Sequence, residues 1–286
     1  MPFKINAEIV QCGGKLLKLT HDSTATKTPM NVNVFIPPSS SSSKKKIPVL
    51  LYLSGLTCTP ENATEKSFFQ YWASKYGFAL VFPDTSPRGA DIAGENDSWD
   101  FGTGAGFYVN ATQEPWSKNY NMYTYVHEEL PAELAKEFAQ LDFKNVGITG
   151  HSMGGMGALV GFFRQKDQYR SVSAFAPIAN PSVVPWGEKN FGNYLGDDKK
   201  AWAEYDPTEL VKKYDGVHTP GILIHQGLKD PFYERELKPG NFIEAAGGYK
   251  GDVDLQLVDG YDHLYFFISS FVEEHAKHHA KYLGLL

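Results

Sequence analysis

Residues 145–159 read Asn-Val-Gly-Ile-Thr-Gly-His-Ser-Met-Gly-Gly-Met-Gly-Ala-Leu, and the fold can be worked out from this stretch. An apolar strand ends at Thr149, Gly150–Gly154 has the pattern G-x-S-x-G, and the small residues that follow predict a helix. The two glycines remove side chains that would collide across a sharp strand-to-helix turn. Such a turn lifts the hydroxyl of Ser152 clear of the sheet and directs backbone amides toward it. The alternative is a glycine-rich helix start with an ordinary capping serine, but the flanking strand and helix favour a nucleophile.

Strands and helices alternate along the rest of the chain. Apolar or alternating patterns predict strands at 31–36, 48–53, 78–82, 145–149, 171–176, 221–225 and 253–258. Helical spacing predicts helices at 64–76, at 119–140 with a kink at Pro131, and at 264–282. The alternation predicts an α/β fold with a mostly parallel central sheet and helices on both of its faces. Ligands bind at the carboxyl ends of the strands in such sheets.

A single domain is predicted for residues 1–286. Two long segments, at about 85–118 and about 180–213, do not fit the alternation and are rich in aromatic residues. Long irregular segments within a compact domain are usually functional, so we expect both to cover a pocket rather than to be irregular surface packing. The stretch Ser39–Lys46 is expected to be a solvated loop between two strands, because its three lysines are too few for a basic binding patch.

A serine hydroxyl needs a base to remove its proton, and the base needs an acid to orient it. Where the serine occupies a turn of this kind, the acid and the histidine follow it in chain order, each just after a strand. Asp230 follows the predicted strand 221–225 and is the candidate acid; His263 follows 253–258 and is the candidate base. Asp262 is a rival acid, but neighbouring side chains usually point apart, so it should not orient His263.

Two backbone amides are needed to stabilise the oxyanion of a tetrahedral intermediate. Met153, the residue after the nucleophile, would supply one amide, and we choose Leu56, in the loop after strand 48–53, for the other. Cys58 lies in the same loop and is expected near the site, as a reactive thiol or as a buried inert one.

The other histidines have simpler interpretations. His275, His278 and His279 lie in the last predicted helix and are interpreted as a solvated face, although their spacing could bind a stray metal ion. His151 is interpreted as the variable position of the G-x-S-x-G turn. No metal and no cofactor are expected.

Composition and charge argue against several classes of protein. The 27 basic and 33 acidic side chains leave a formal net charge of −6, which argues against binding nucleic acid by neutralising phosphates. No window approaches 18 consecutive apolar residues, so no membrane span is predicted. The two cysteines and the polar start of the chain predict a cytoplasmic protein.

Seven segments together resemble the S-formylglutathione hydrolase family, also called esterase D. They are Leu53–Thr59, Pro83–Gly89, Ser98–Tyr108, Gly150–Gly155, Ser173–Ile178, Pro185–Gly187 and Gly260–His263. The resemblance covers nearly the whole chain, and the stretch Ser39–Lys46 is the clearest departure from it.

The resemblance implies an α/β-hydrolase fold and a cytoplasmic homodimer that needs no cofactor. The implied activity is hydrolysis of the thioester S-formylglutathione to glutathione and formate, in formaldehyde detoxification. The resemblance places the triad on Ser152, Asp230 and His263, and it places Cys58 and Trp186 beside the acyl pocket as substrate-binding residues. A broad carboxylesterase for small acyl groups would use the same machinery and is the main alternative. The third hypothesis is an acyltransferase or a non-catalytic binding protein. An intact triad argues against the loss of catalysis.

Overall fold

The structure is a computed structural model that describes residues 3–38 and 45–286. Most of the loop predicted at Ser39–Lys46 lies outside the described residues. Within them, nine strands form one sheet: β1 Lys4–Gln11, β2 Gly14–Asp22, β3 Pro29–Ile36, β4 Ile47–Leu53, β5 Ala79–Pro83, β6 Leu141–Gly150, β7 Tyr169–Phe175, β8 Ile222–Gly227 and β9 Val253–Val258.

The sheet is mostly parallel, as the alternation of strands and helices predicted. Its strand order is β1-β2-β3-β5-β4-β6-β7-β8-β9. The pairs among β1, β2, β3 and β5 are antiparallel, and every pair from β4–β5 to β8–β9 is parallel. Every residue of β5 and β8 is buried, so both faces of the sheet are covered there, as expected of parallel strands.

The helices that cover the sheet follow in chain order. They are α1 Pro60–Lys66, α2 Phe69–Tyr76, α3 Met122–Thr124, α4 Leu130–Glu137, α5 Met153–Arg164, α6 Pro185–Leu195, α7 Lys199–Ala203, α8 Pro207–Lys212, α9 Pro239–Ala245 and α10 Tyr265–Tyr282. Helix α5 packs on β4, β6 and β7, whereas α10 packs on α2, β7 and β8. None of the helices in the described part of the chain is long and apolar enough to cross a bilayer.

The helix predicted at 64–76 is in fact two helices, α1 and α2. Phe68 separates them with a left-handed backbone, φ 61°. Helix α1 begins earlier than predicted because the side chain of Thr59 caps the amide of Glu61 and Pro60 occupies the first turn.

The predicted helix 119–140 is interrupted close to Pro131. A stretch of π-helix, Tyr125–Glu129, joins α3 to α4. Pro131 has no amide hydrogen to donate to the carbonyl of His127, which instead accepts a hydrogen bond from Gln168 Nε2 at 2.9 Å. The irregularity expected from the proline is therefore a change of helix type just before it.

Two other expectations from the sequence were wrong or incomplete. The cover segment 180–213 is mostly helical, because it contains α6, α7 and α8. The strands β1 and β2 were not predicted. Ile5, Ala7 and Ile9 alternate with polar residues in β1, so a strand signal was present there and was overlooked, although most residues of this edge strand are exposed.

The interpretation of the α10 histidines as a solvated face was also wrong. His275 and His279 are fully buried. His275 Nδ1 lies 2.8 Å from Ser173 Oγ, and His279 Nδ1 lies 2.6 Å from Ser171 Oγ. His278 Nε2 donates to a backbone carbonyl of β7 at 3.0 Å. The hydrogen bonds of these three rings hold α10 against β7. The helical spacing of the histidines could not show that this face of the helix is buried.

Burial lowers the pKa of all three histidines, to about 4 for His278 and well below the ordinary value for His275 and His279. In the unfolded chain the same side chains titrate near 6.5. As the pH falls below about 6.5, the unfolded state therefore binds protons that the folded state does not, and stability is lost.

We predict that the free energy of unfolding falls between pH 6.5 and pH 4, by up to about 1.4 kcal/mol per pH unit for each such histidine. Urea unfolding at a series of pH values measures it. His278→Asn should reduce this slope, because it removes one of the groups that take up a proton only in the unfolded state. A stability that is constant over this range would contradict the prediction.

Candidate active site

Strand β6 leads directly to Ser152, which has the unusual backbone angles φ 59° and ψ −121°. Side-chain-bearing residues rarely adopt this conformation, so the surrounding structure must impose it. The amide of Ser152 donates to the carbonyl of Phe175 at 2.9 Å, and its own carbonyl accepts from the amide of Met156 at 3.0 Å. Helix α5 begins at the next residue, which directs the positive end of the helix dipole toward the hydroxyl.

The glycines of the turn are required by close backbone contacts. A Cβ atom at Gly150 would lie 2.2 Å from the carbonyl oxygen of Gly154. A Cβ atom at Gly154 would lie 2.0 Å from the carbonyl oxygen of Leu53, at the end of β4. Both distances are far below contact, so the G-x-S-x-G spacing serves the steric purpose inferred from the sequence.

His263 and Asp230 lie side by side at the carboxyl ends of β9 and β8. His263 Nδ1 is 2.5 Å from Asp230 Oδ2. The carboxylate of Asp230 is fully buried and also accepts from the amide of Phe232 at 2.8 Å and from Gln226 Nε2 at 3.3 Å. These bonds hold the carboxylate in one orientation against the imidazole.

Asp262, the rival acid, is used elsewhere. Its Oδ1 accepts from the amide of Leu264 at 2.9 Å. The loops that carry Asp230 and His263 can approach closely because Gly227 has no side chain: a Cβ there would lie 2.4 Å from the carbonyl oxygen of Tyr261.

A cavity of about 190 Å³ opens above the carboxyl ends of the strands, and Ser152 and His263 both line it. Among its other lining residues are Leu56, Cys58, Trp99, His151, Trp186 and Phe232. Asp230 lies behind His263, and Met153 directly follows the serine. The structure therefore brings all seven candidate site residues to one end of the sheet.

The two candidate oxyanion amides are free to bind a ligand. Among the described residues, no protein oxygen accepts a hydrogen bond from the amide of Leu56 or from that of Met153. The loop that carries Leu56 lies against the nucleophile, since a Cβ at Gly55 would be 3.1 Å from Ser152 Cβ. The amide of Thr57 anchors this loop by donating to the carbonyl of Gly104 at 2.9 Å.

Cys58 lines the cavity, but its side chain is buried. Burial raises the pKa of the thiol, which therefore stays protonated at neutral pH. Its backbone carbonyl accepts hydrogen bonds from Thr85 Oγ1 at 2.5 Å and from Arg88 Nη2 at 3.0 Å. Of the two interpretations, burial favours the inert thiol.

The two cover segments meet over the cavity. The rings of Trp99 and Trp186 pack edge to face with centroids 5.7 Å apart, and Trp186 lies 4.7 Å from Phe232. Lys189 of α6 forms an ion pair with Asp100 and donates to Ser98 Oγ. These contacts join the segments into one wall of the cavity.

Sequence reasoning missed five of the residues that line this cavity: Trp99, His151, Phe232, Leu264 and Tyr265. It gave His151 no role beyond the turn, and it did not single out Trp99 or Phe232. His151 had one available signal, its position next to the candidate nucleophile. Trp99 and Phe232 had no local signal, because their neighbours in the cavity come from distant parts of the chain.

A serine on a strained strand-to-helix turn, with a histidine–aspartate pair after later parallel strands, defines the class of α/β-hydrolases. A family model described as "Putative esterase" matches residues 23–278. The chain is 52% identical to the S-formylglutathione hydrolase of Saccharomyces cerevisiae, over 99% of this chain and 100% of the yeast protein. It is 54% identical to the S-formylglutathione hydrolase of Arabidopsis thaliana, over 93% of this chain and 92% of the plant protein.

A solved structure of an S-formylglutathione hydrolase from Agrobacterium tumefaciens superposes with a TM-score of 0.93 at 44% identity, covering 98% of this chain and 99% of that one. The chain belongs to the S-formylglutathione hydrolase family, a family of serine hydrolases.

We predict that Gly154→Ala destabilises the protein by about 3 kcal/mol or more, because the new methyl group collides with the end of β4. Gly240→Ala in α9 is the matched control, since a Cβ there meets nothing within 4 Å, and it should leave stability unchanged or raise it by up to about 1 kcal/mol. Urea unfolding measures both. Equal stability of the two variants would show that the turn tolerates a side chain.

Proposed function

We propose that this protein hydrolyses S-formylglutathione to glutathione and formate through Ser152, His263 and Asp230. The observation that carries the proposal is the hydrogen-bonded His263–Asp230 pair, which faces the same cavity as the serine. Relatives about half identical over nearly the whole chain are S-formylglutathione hydrolases, which supports the choice of substrate.

In the first step, His263 removes the proton from Ser152 as the serine oxygen attacks the formyl carbon. Asp230 keeps the proton of the imidazole on Nδ1, so the other ring nitrogen is free to act as the base. The carbon–sulfur bond then breaks, the glutathione thiolate leaves, and the protonated His263 gives its proton to the departing sulfur, so the imidazole is neutral again before water arrives. Because a thiolate is a good leaving group, this proton transfer need not precede the breaking of the bond.

The amides of Leu56 and Met153 hold the negative oxygen of the tetrahedral intermediate. Neither amide has a protein acceptor in the described structure, so both are available without breaking an existing bond. Donors that are already in place stabilise the transition state without reorganisation, which makes such a site effective.

In the second step, a water molecule gives a proton to His263 and attacks the formyl-serine ester. The intermediate collapses to formate, and the proton returns to the oxygen of Ser152. Atoms balance over the cycle: one thioester and one water give one carboxylic acid and one thiol.

The walls of the cavity suit a small acyl group. Trp186, Trp99 and Phe232 line a space of about 190 Å³. A formyl group has no alkyl chain, whereas longer acyl chains would compete with these rings for room. Size exclusion by bulky side chains thus favours formyl over longer acyl groups.

We also propose a cytoplasmic homodimer. The family resemblance supports both properties, and the free state of Cys12 and Cys58 is in keeping with a reducing compartment.

We predict that Ser152→Ala lowers kcat on S-formylglutathione by about six orders of magnitude, because the nucleophile is lost. Loss of thioester absorbance with purified protein measures the rate. Ser270→Ala, at an exposed position of α10, is the matched control and should keep full activity.

Two outcomes would contradict the proposal. An active Ser152→Ala protein would remove Ser152 from its role. A wild-type kcat/KM that is higher for nitrophenyl acetate than for S-formylglutathione would favour the broad carboxylesterase.

We predict that Trp186→Ala raises the ratio of kcat/KM for butyryl over formyl thioesters by about tenfold or more, because the cavity gains room for an alkyl chain. The same assay with a series of acyl glutathiones measures this ratio. Trp72→Ala, a change on α2 away from the cavity, should leave the ratio unchanged. An unchanged ratio in Trp186→Ala would show that this ring does not limit the acyl group.

A further inference from the structure

His151 is held rigidly beside the nucleophile by its own backbone. Its amide donates to the carbonyl of Leu53 at 3.0 Å, and its carbonyl accepts from the amide of Gly154 at 2.8 Å. These bonds join the turn to the end of β4 and the start of α5, so the direction of the side chain is set. The ring is 6% exposed and lines the cavity together with Ser152 and His263.

The ring of His151 packs directly on the ring of His263. Their centroids are 4.4 Å apart with an interplanar angle of 44°. Phe232 packs edge-on against the same imidazole at 5.0 Å. Within the described residues, Asp230 makes the one side-chain hydrogen bond of His263. That bond leaves the ring free to swing about it, so the two neighbouring rings decide its orientation.

The polar atoms of His151 lack partners. Neither ring nitrogen has a hydrogen-bond partner in the described structure, although both are buried. Buried unpaired nitrogens are costly, and a hydrocarbon ring would fill the same space without that cost. The presence of nitrogens at a buried position next to the candidate base therefore points to a use for them.

The ring of His151 is neutral. Burial, and secondly the nearby His263, lower its pKa well below the ordinary value. A neutral imidazole has one N–H donor and one acceptor nitrogen. A weaker interaction with the backbone of His263 acts in the opposite direction on this pKa, although neither ring nitrogen meets hydrogen-bond geometry in this structure. Catalytic hydrogen bonds are often long in unliganded sites and shorten when substrate binds.

We propose that His151 is a positioning residue for acyl transfer, which uses its ring nitrogens as well as its bulk to hold His263 over Ser152. With substrate in the cavity, the N–H of His151 donates to the carbonyl of His263 and fixes the loop that carries the base. A neutral ring suits this place, because a charged one would repel the imidazolium that His263 becomes during the reaction. The inference rests on the proposed function for the role of His263 as the base.

Two substitutions separate the nitrogens from the bulk of the ring. His151→Phe keeps an aromatic ring and removes both nitrogens, whereas His151→Gln removes the ring and keeps a donor and an acceptor. We expect His151→Phe to lower kcat by roughly 10- to 100-fold with KM changed less than about twofold, since a misplaced base slows the chemical step. His151→Gln keeps a donor but loses the ring contact with His263, so its kcat should lie between that of His151→Phe and that of the wild type.

The reverse ranking, an active His151→Phe and an impaired His151→Gln, would mean that bulk alone matters and would overturn the inference. His21→Phe is the matched control, because His21 is also buried with an unpaired Nδ1 but lies on β2 outside the cavity; its kcat should stay within about twofold of wild type. Circular dichroism checks folding, and His151→Leu replaces His151→Phe as the variant without nitrogens if the latter does not fold.

Each variant is assayed on S-formylglutathione and on nitrophenyl acetate. Because His151 acts through His263, kcat should fall by the same factor on both substrates. If the wild type cleaves the acetate ester but not the thioester, the substrate assignment fails, and the ranking on the acetate ester still decides the role of His151.

Discussion

The strained backbone of Ser152 is the constraint on which the site depends. A φ of 59° at a residue with a side chain costs about 1–3 kcal/mol, and neighbouring strands must enforce it. They do so through two hydrogen bonds, from the amide of His151 to Leu53 at the end of β4 and from the amide of Ser152 to Phe175 at the end of β7. The turn is therefore correct only when β4, β6 and β7 are aligned, which links catalytic geometry to the assembly of the sheet.

The same alignment brings the remaining groups of the site together. Parallel strands end at one edge of the sheet, so the loops after β4, β8 and β9 converge on the serine. The loop after β4 presents the Leu56 amide, and the loops after β8 and β9 carry Asp230 and His263. The two cover segments then close the cavity through Trp99 and Trp186. In a site built this way, the strand ends hold Ser152, Asp230 and His263 in place, and separate segments form the walls of the cavity.

Much of the fold follows from local pattern. The buried strands could be placed because continuous apolar runs are typical of strands covered on both faces, and the breaks after them mark the carboxyl edge. The edge strand β1 has no continuous apolar run, and its alternation at Ile5, Ala7 and Ile9 was overlooked. The break at Phe68 was also missed, although Ser67 offered a local signal: it ends α1, and its Oγ accepts a hydrogen bond from the amide of Phe69 at 3.3 Å.

By itself, the sequence determined the turn at Ser152 and the chain order of the candidate residues Ser152, Asp230 and His263, because the glycines and the strand ends that specify them are local features. Only the tertiary structure decided which polar residues are buried. The helical spacing of His275 and His279 suits a solvated face, yet both rings lie against β7. Likewise, the ring of His151 contacts the ring of His263 only because the carboxyl ends of β6 and β9 lie close together in the folded sheet. Burial depends on what packs against a residue from elsewhere in the chain, and local pattern does not contain that information.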